Sequence, residues 1–177
     1  ALTIHRQIGF VYGKDLGFTK KNRIILELPQ TDYSNLVQFK NHLSSYPAIT
    51  HVSYGLGAPA SNHNMTTNYS VPGLETTGEM RLNIKSADTS YYRTGGLEVI
   101  AGEWYGVKHP GDSVADIVVN EKLISMIGME YPGEAIGKHI YVGSDKFRIC
   151  GVVRDFHHYS LYDPITPLGF IYSEQYF

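Results

Sequence analysis

Residues 146–167 read KFRICGVVRDFHHYSLYDPITP, and the fold turns on how they are read. Phe147, Ile149, Val152 and Val153 are apolar and mostly β-branched, which predicts a short buried strand. Gly151 interrupts it, as expected of a bulge or of a neighbouring backbone that comes close. The strand then runs into Asp155-Phe156-His157-His158-Tyr159, an abrupt change to ionisable and aromatic residues. Asp163-Pro164 and Thr166-Pro167 close the segment, because the residue before a proline is pushed toward extended geometry.

Working outward, residues 138–142 read as a short strand, 131–137 as a turn, 121–128 (EKLISMIG) as a helix capped by Asn120, and 116–120 (DIVVN) as a strand. Further upstream, 97–100 is a brief apolar stretch closed by 102–104. Asp88 can cap a short helix through Tyr91 and Tyr92 that Gly95-Gly96 ends. Residues 79–86 (EMRLNIKS) alternate as a half-exposed strand. Residues 57–78, rich in Asn, Thr, Ser, Gly and Pro, read as a loose hairpin or a mobile loop.

Near the start, 23–28 (RIILEL) is a strand by composition, closed by Pro29. A helix over 33–45 follows, capped by Thr31 or Asp32, with Leu36, Val37, Phe39 and Leu43 on one face. A second strand is expected over 49–56. These three make a β-α-β unit, right-handed if its strands are parallel neighbours. Residues 2–13 suit a short amphipathic helix, with Gly17 as a C-cap or turn after it. The fold class is α+β, with no internal repeat and no low-complexity tract.

Composition narrows the function. The chain has 177 residues, enough to bury a core, and its net charge of −2 offers no basic patch for nucleic acid. Fourteen tyrosines suit partly exposed contact surfaces. The single cysteine, Cys150, lies in the apolar strand and reads as a small buried hydrophobe. No stretch approaches the ~18 apolar residues of a membrane span, and the first residues lack a signal-peptide pattern. Beginning at Ala1 and stopping at Phe177, the chain reads as a trimmed piece or a mature fragment.

Signals for chemistry are weak. Residues 133–139 (GEAIGKH) have three residues between the glycines and His139 in place of Ser or Thr, so they fail as a phosphate loop. Asp155, His157 and His158 invite a metal, yet adjacent histidines on an extended chain face opposite ways. Asp155 better suits a role accepting backbone hydrogen bonds at the strand exit. There is no G-x-S-x-G elbow, and a buried Cys150 disfavours a thiolate. Two Asn-x-Ser/Thr sequons, at Asn64 and Asn68, matter only in a secreted eukaryotic setting. No catalytic residue, cofactor or metal ligand is assigned.

Separated pieces, in order, carry a resemblance: Gln7 and Tyr12; 14–18 (KDLGF); Tyr91-Tyr92; 95–97 (GGL); 101–104 (AGEW); 118–121 (VVNE); 135–138 (AIGK); 149–157 (ICGVVRDFH); and 165–168 (ITPL). Together they resemble the extracytoplasmic core domain of MacB/FtsX-type ABC transporter permeases, especially the Bacteroidetes-like branch. The positions matching the family pattern are Gly17, Phe18, Gly102, Asn120, Glu121, Gly137, Gly151, Asp155, Phe156 and Pro167.

The resemblance implies a porter-like β-α-β lobe from 22–87 and 142–170 and a smaller, outer Sabre-like lobe from 88–141. Residues 1–21 would follow a first transmembrane helix and 171–177 lead into a second, both ends facing the same membrane surface at the periplasmic face of a bacterial inner membrane. It further implies a non-enzymatic domain that transmits ATP-driven change to a periplasmic substrate or partner. Its partners would be a separate cytoplasmic ATPase subunit, a second permease copy, and a periplasmic adaptor or substrate protein. On that view 152–167 is a rod, and Gly151→Val or Phe156→Ala should uncouple it without unfolding the domain. A ligand-sensing extracytoplasmic module, with a pocket lined from the tyrosine-rich 54–92 region, is the alternative.

Overall fold

The computed structural model describes residues 15–28, 32–61, 63–74, 80–106, 114–159 and 163–173. In chain order their elements are α1 (Tyr33–Ser44), β1 (Met65–Ser70), β2 (Arg81–Ser86), α2 (Tyr91–Gly95), β3 (Val99–Gly102), β4 (Ala115–Asn120), α3 (Glu121–Met126), a 3-10 turn (Pro132–Ala135), β5 (His139–Val142), β6 (Asp145–Val153) and β7 (Leu168–Ile171). The architecture is a mixed sheet with few helices, as the α+β reading expects.

The strands form one seven-stranded sheet in the order β3-β6-β4-β7-β2-β1-β5, and β5 also pairs with β6. The ladder therefore closes into a ring. β6 is its longest strand and the place where it closes. One edge of β6 carries β4 in parallel from Phe147 to Val153. The other carries β5 over 145–148 and then β3 over 151–153, both antiparallel. β7 runs parallel to β2 and antiparallel to β4. Strands from 88–141 (β3, β4, β5) and strands from the flanking spans share this sheet.

The expected bulge lies at Cys150. Ile117 pairs with Ile149, but Val118 pairs with Gly151, leaving Cys150 as the extra residue. This shift explains why Ile149 and Val152, three apart, face the same way. Both join Leu82, Ile84, Ile117, Val119 and Ile140 in a core covered by Leu123, Ile124 and Ile127 at α3. On the opposite face Val118, Val153, Leu168 and Phe170 pack with Tyr91, Trp104, Tyr105 and Phe156.

Several sequence expectations need correction. Residues 23–28 form no strand, and 24–28 are exposed. Residues 49–56 contribute only a bridge, Gly55 to Ala87, so the β-α-β unit does not form. In the ring every strand except β3 has a neighbouring strand on each side, and neither 23–28 nor 49–56 is one of those neighbours. The 57–78 stretch holds β1 where a loose hairpin or mobile loop was expected, and β7 is a strand at 168–171, for which no element was expected. β2 is buried on both faces after Arg81, not half-exposed. α1 forms as expected, but only Leu36 of its apolar face is buried. The 2–13 helix and residues 174–177 lie outside the described residues.

Candidate functional site at the end of β6

Where β6 ends, four segments are tied together through side chains that cap backbone groups. Asn120 caps α3 by accepting from the Leu123 N–H at 3.3 Å. The same Oδ1 accepts from the Leu168 N–H at 2.9 Å, and its Nδ2 donates to the Thr166 carbonyl at 3.0 Å. One buried amide thus holds a helix start and the start of β7 in register. Pro167 supplies its carbonyl to the Asn83 N–H at 3.0 Å.

Asp155 behaves as its sequence position suggests. Its Oδ1 accepts from the Lys122 N–H at 2.9 Å, while the Asp155 N–H donates to Glu121 Oε2 at 2.9 Å. The exchange clamps the β6 exit onto the first turn of α3, where N–H groups need acceptors. Burial, and to a lesser degree the neighbouring Glu121 carboxylate, pushes the Asp155 carboxyl above its usual range, against the Lys122 N–H that lowers it.

Phe156 is the hub of the aromatic side. Fully buried, it stacks on Phe170 with ring centroids 6.1 Å apart and meets Phe18 edge-on at 6.4 Å. Gly17 lets the 15–19 segment approach: a Cβ there would lie 2.7 Å from Phe156 Cβ, and its φ of 79° favours glycine in any case. The His157 N–H donates to the Leu16 carbonyl at 2.9 Å, which closes the contact. At Gly151 a side chain would run into the Glu103 carbonyl, so the absence of a Cβ there lets the continuation of β3 lie against β6. Gly102 sits against the Cys150 carbonyl on the same crossing, and the Gly137 N–H donates to the Ile149 carbonyl at 2.8 Å.

Nine of the ten family-pattern positions lie along β6 or against its exit, and the tenth, Pro167, lies against β2 through Asn83. Cys150 is half-buried and its thiol is pushed up to about 12, mainly by burial, which keeps it in the thiol form. His158 is buried and His157 half-buried. Among the described residues no group of three or more His, Cys, Asp or Glu side chains could hold a metal ion.

Sequence reasoning missed a polar layer over β2. Asn83 Oδ1 accepts from Thr66 and Tyr159 hydroxyls, each at 2.9 Å, and its Nδ2 donates to Thr166 Oγ1 at 2.9 Å. His158 Nε2 meets the same Thr166 hydroxyl at 2.9 Å. Burial, reinforced by the Lys85 and His157 charges, lowers His158 to about 4. Lys85, fully buried, places its ammonium among the Ala58, Ser61 and His63 carbonyls and Ser61 Oγ at 3.0–3.3 Å. Burial lowers Lys85 to about 8, although these acceptors favour its charged form. The only advance signal was the alternation Leu82-Asn83-Ile84-Lys85, which by itself denotes a solvated face.

A second missed contact ties α1 to the sheet. Tyr54 donates to the Tyr33 hydroxyl at 2.9 Å, and Tyr33 meets Tyr172 at 2.5 Å. Lys40 pairs with the buried Asp88 at 2.5 Å.

This fold is that of extracytoplasmic domains of ABC-type transporters. It is similar to the periplasmic region of MacB from Actinobacillus actinomycetemcomitans, with a TM-score of 0.54 and 18% identity over 86% of this chain and 58% of that one. It is also similar to the extracellular domain of the noncanonic ABC-type transporter YknZ from Gram-positive bacteria, with a TM-score of 0.50 and 12% identity over 76% of this chain and 60% of that one. The chain thus spans less than two thirds of the length of either structure. No protein-family model and no curated protein matches the sequence. The fold likeness agrees with the resemblance carried by the ordered motifs. No helix among the described residues is long and apolar enough to cross a membrane.

Proposed function

We propose that this chain is the extracytoplasmic domain of an ABC transporter permease, and that it passes ATP-driven movement to a substrate or partner outside the membrane. The observation that carries this reading is the likeness to the MacB periplasmic region over 86% of the chain. The sheet supports it physically. A ring whose longest strand pairs with three others is a stiff body, and stiffness is what lets displacement at one end arrive at the other. In this reading a separate cytoplasmic ATPase subunit supplies the energy, and a second permease copy supplies the surface against which the domain moves. A periplasmic adaptor or substrate protein receives the motion, and the domain itself breaks no bonds.

The test uses the full-length protein reconstituted in liposomes with its ATPase. Spin labels attached through Tyr131→Cys, an exposed site, report the separation of the two copies. Adding ATP should change that separation by on the order of several Å. An unchanged distance while ATP turnover proceeds would remove the relay reading.

A further inference from the structure

Lys85 is a fully buried cation with no carboxylate beside it. Among the described residues it joins no ion pair, and its hydrogen-bond acceptors are all neutral oxygens. They are the Ala58 carbonyl at 3.0 Å, Ser61 Oγ at 3.1 Å, and the Ser61 and His63 carbonyls at 3.3 Å each. An ammonium has three protons, so this set of oxygens exceeds what hydrogen bonding alone asks for. It is the donor set of a cation cage, in which carbonyl oxygens replace a hydration shell as they do around potassium. The separations suit ammonium or potassium, since calcium draws its oxygens to about 2.3–2.6 Å and magnesium to about 2.0–2.1 Å.

The cage is also oriented for positive charge. Ser61 Oγ donates its proton to the Ala58 carbonyl at 2.9 Å, which leaves its lone pairs toward the Lys85 Nζ. Among the described residues, the hydrogen bonds that join Ala58, Ser61 and His63 to β2 all end on that ammonium. Residues 55–57 are held separately, by the Gly55–Ala87 bridge, the Leu56 N–H on the Ser86 carbonyl and the Tyr91 hydroxyl on the Gly57 carbonyl. Beyond Gly57 the polar ties to β2 run through this one charge. Burying it is costly. An apolar side chain at this position would avoid that cost but leave the Ser61 and His63 carbonyls without a donor.

We propose that Ala58, Ser61 and His63 form a monovalent-cation site whose resident ion is the Lys85 ammonium, and that this crossing closes over β2 only while the site is filled. With the tether cut away, the same oxygens take up free ammonium or potassium. The site concerns β2 and its cover alone, and stands whether or not the chain serves a transporter.

Lys85→Ala empties the site, and hydrogen exchange of the amides at 58–63 in the 177-residue chain, at one pH, reads its closure. In choline chloride those amides should exchange at least roughly tenfold faster in Lys85→Ala than in the wild type. Ammonium or potassium chloride at the same ionic strength should bring them back to within about threefold of the wild type. Sodium chloride should not, because a smaller ion cannot reach all the oxygens at once. The wild type, its site already filled, should respond alike to every salt. Lys85→Met fills the space with an apolar chain and should exchange fast in every salt. If Lys85→Ala does not fold in choline chloride, ammonium or potassium must refold it, read by circular dichroism. Wild-type exchange by Lys85→Ala in choline, an equal response to every salt, or no recovery in either ammonium or potassium would each overturn the proposal.

Discussion

The end of β6 and the segment from 23 to 44 make an instructive pair. Both are rich in apolar residues, and both looked like core strands or helices in the sequence. At the end of β6 the Asp155 carboxylate and N–H each have a fixed partner on α3, and Phe156 and Val153 are fully buried. Among the described residues from 23 to 44, Leu36 is the only buried hydrophobic side chain, and the contacts that tie α1 to the sheet include the Tyr33–Tyr172 hydroxyl contact and the Lys40–Asp88 ion pair. Apolar content alone does not make a core. A strand becomes one only where the topology leaves it an edge to fill.

The sharpest way to break this contrast is Gly151→Val. Its side chain would displace the Glu103 backbone from β6, and backbone cannot move aside as a flexible side chain can. The variant should lose cooperative urea unfolding altogether, which runs against the expectation that it folds but fails to couple. Phe156→Ala comes next. Removing a ring packed between Phe18 and Phe170 should cost about 3–5 kcal/mol, read as a lower urea midpoint.

Acid offers a third, graded test. His158 has an ordinary value of 6.5 and about 4 in the folded chain, lowered first by burial. Between these values the unfolded chain takes up a proton that the folded chain refuses, so stability is fully present above pH 6.5 and falls as pH drops toward 4. The loss should reach up to about 3 kcal/mol. Urea midpoints measured across that window should slope for the wild type and flatten for His158→Gln. The smallest effect belongs to the other region: Ile25→Asp should change unfolding free energy by less than about 0.5 kcal/mol, because that side chain is mostly exposed. A large loss at Ile25 would erase the distinction between the two regions.

What the sequence disclosed follows the range of the forces involved. Asn120 as a helix cap, the bulge around Gly151 and the backbone-binding role of Asp155 depend on neighbours within a few residues or on one adjacent strand, and all were legible. β1 (MTTNYS) and β7 (LGFI) were not. The first is polar and the second is four residues long, and both are strands only because β2 runs between them. The 23–28 segment failed in the opposite direction: its composition suits a strand, but no composition reveals whether an edge is vacant. Asn83 and Lys85 look solvated by their alternation, and are bonded by Ala58, Ser61, His63, Tyr159 and Thr166, all remote in the chain. For the candidate site, most positions in the ordered motifs lie along β6 or at its exit, while the polar layer over β2 carried only an alternation that denotes a solvated face.

The placement of β7 has a mechanical corollary. Lying between β2 in parallel and β4 in antiparallel, it meets traction applied beyond Ile171 by sliding along both neighbours, so its ladder bonds resist simultaneously rather than one after another. β3, bordered on one side only, peels bond by bond under a comparable tug. A single sheet thus presents one direction that yields and another that holds, and traction along the holding one would be delivered to β6 with little lost to stretching.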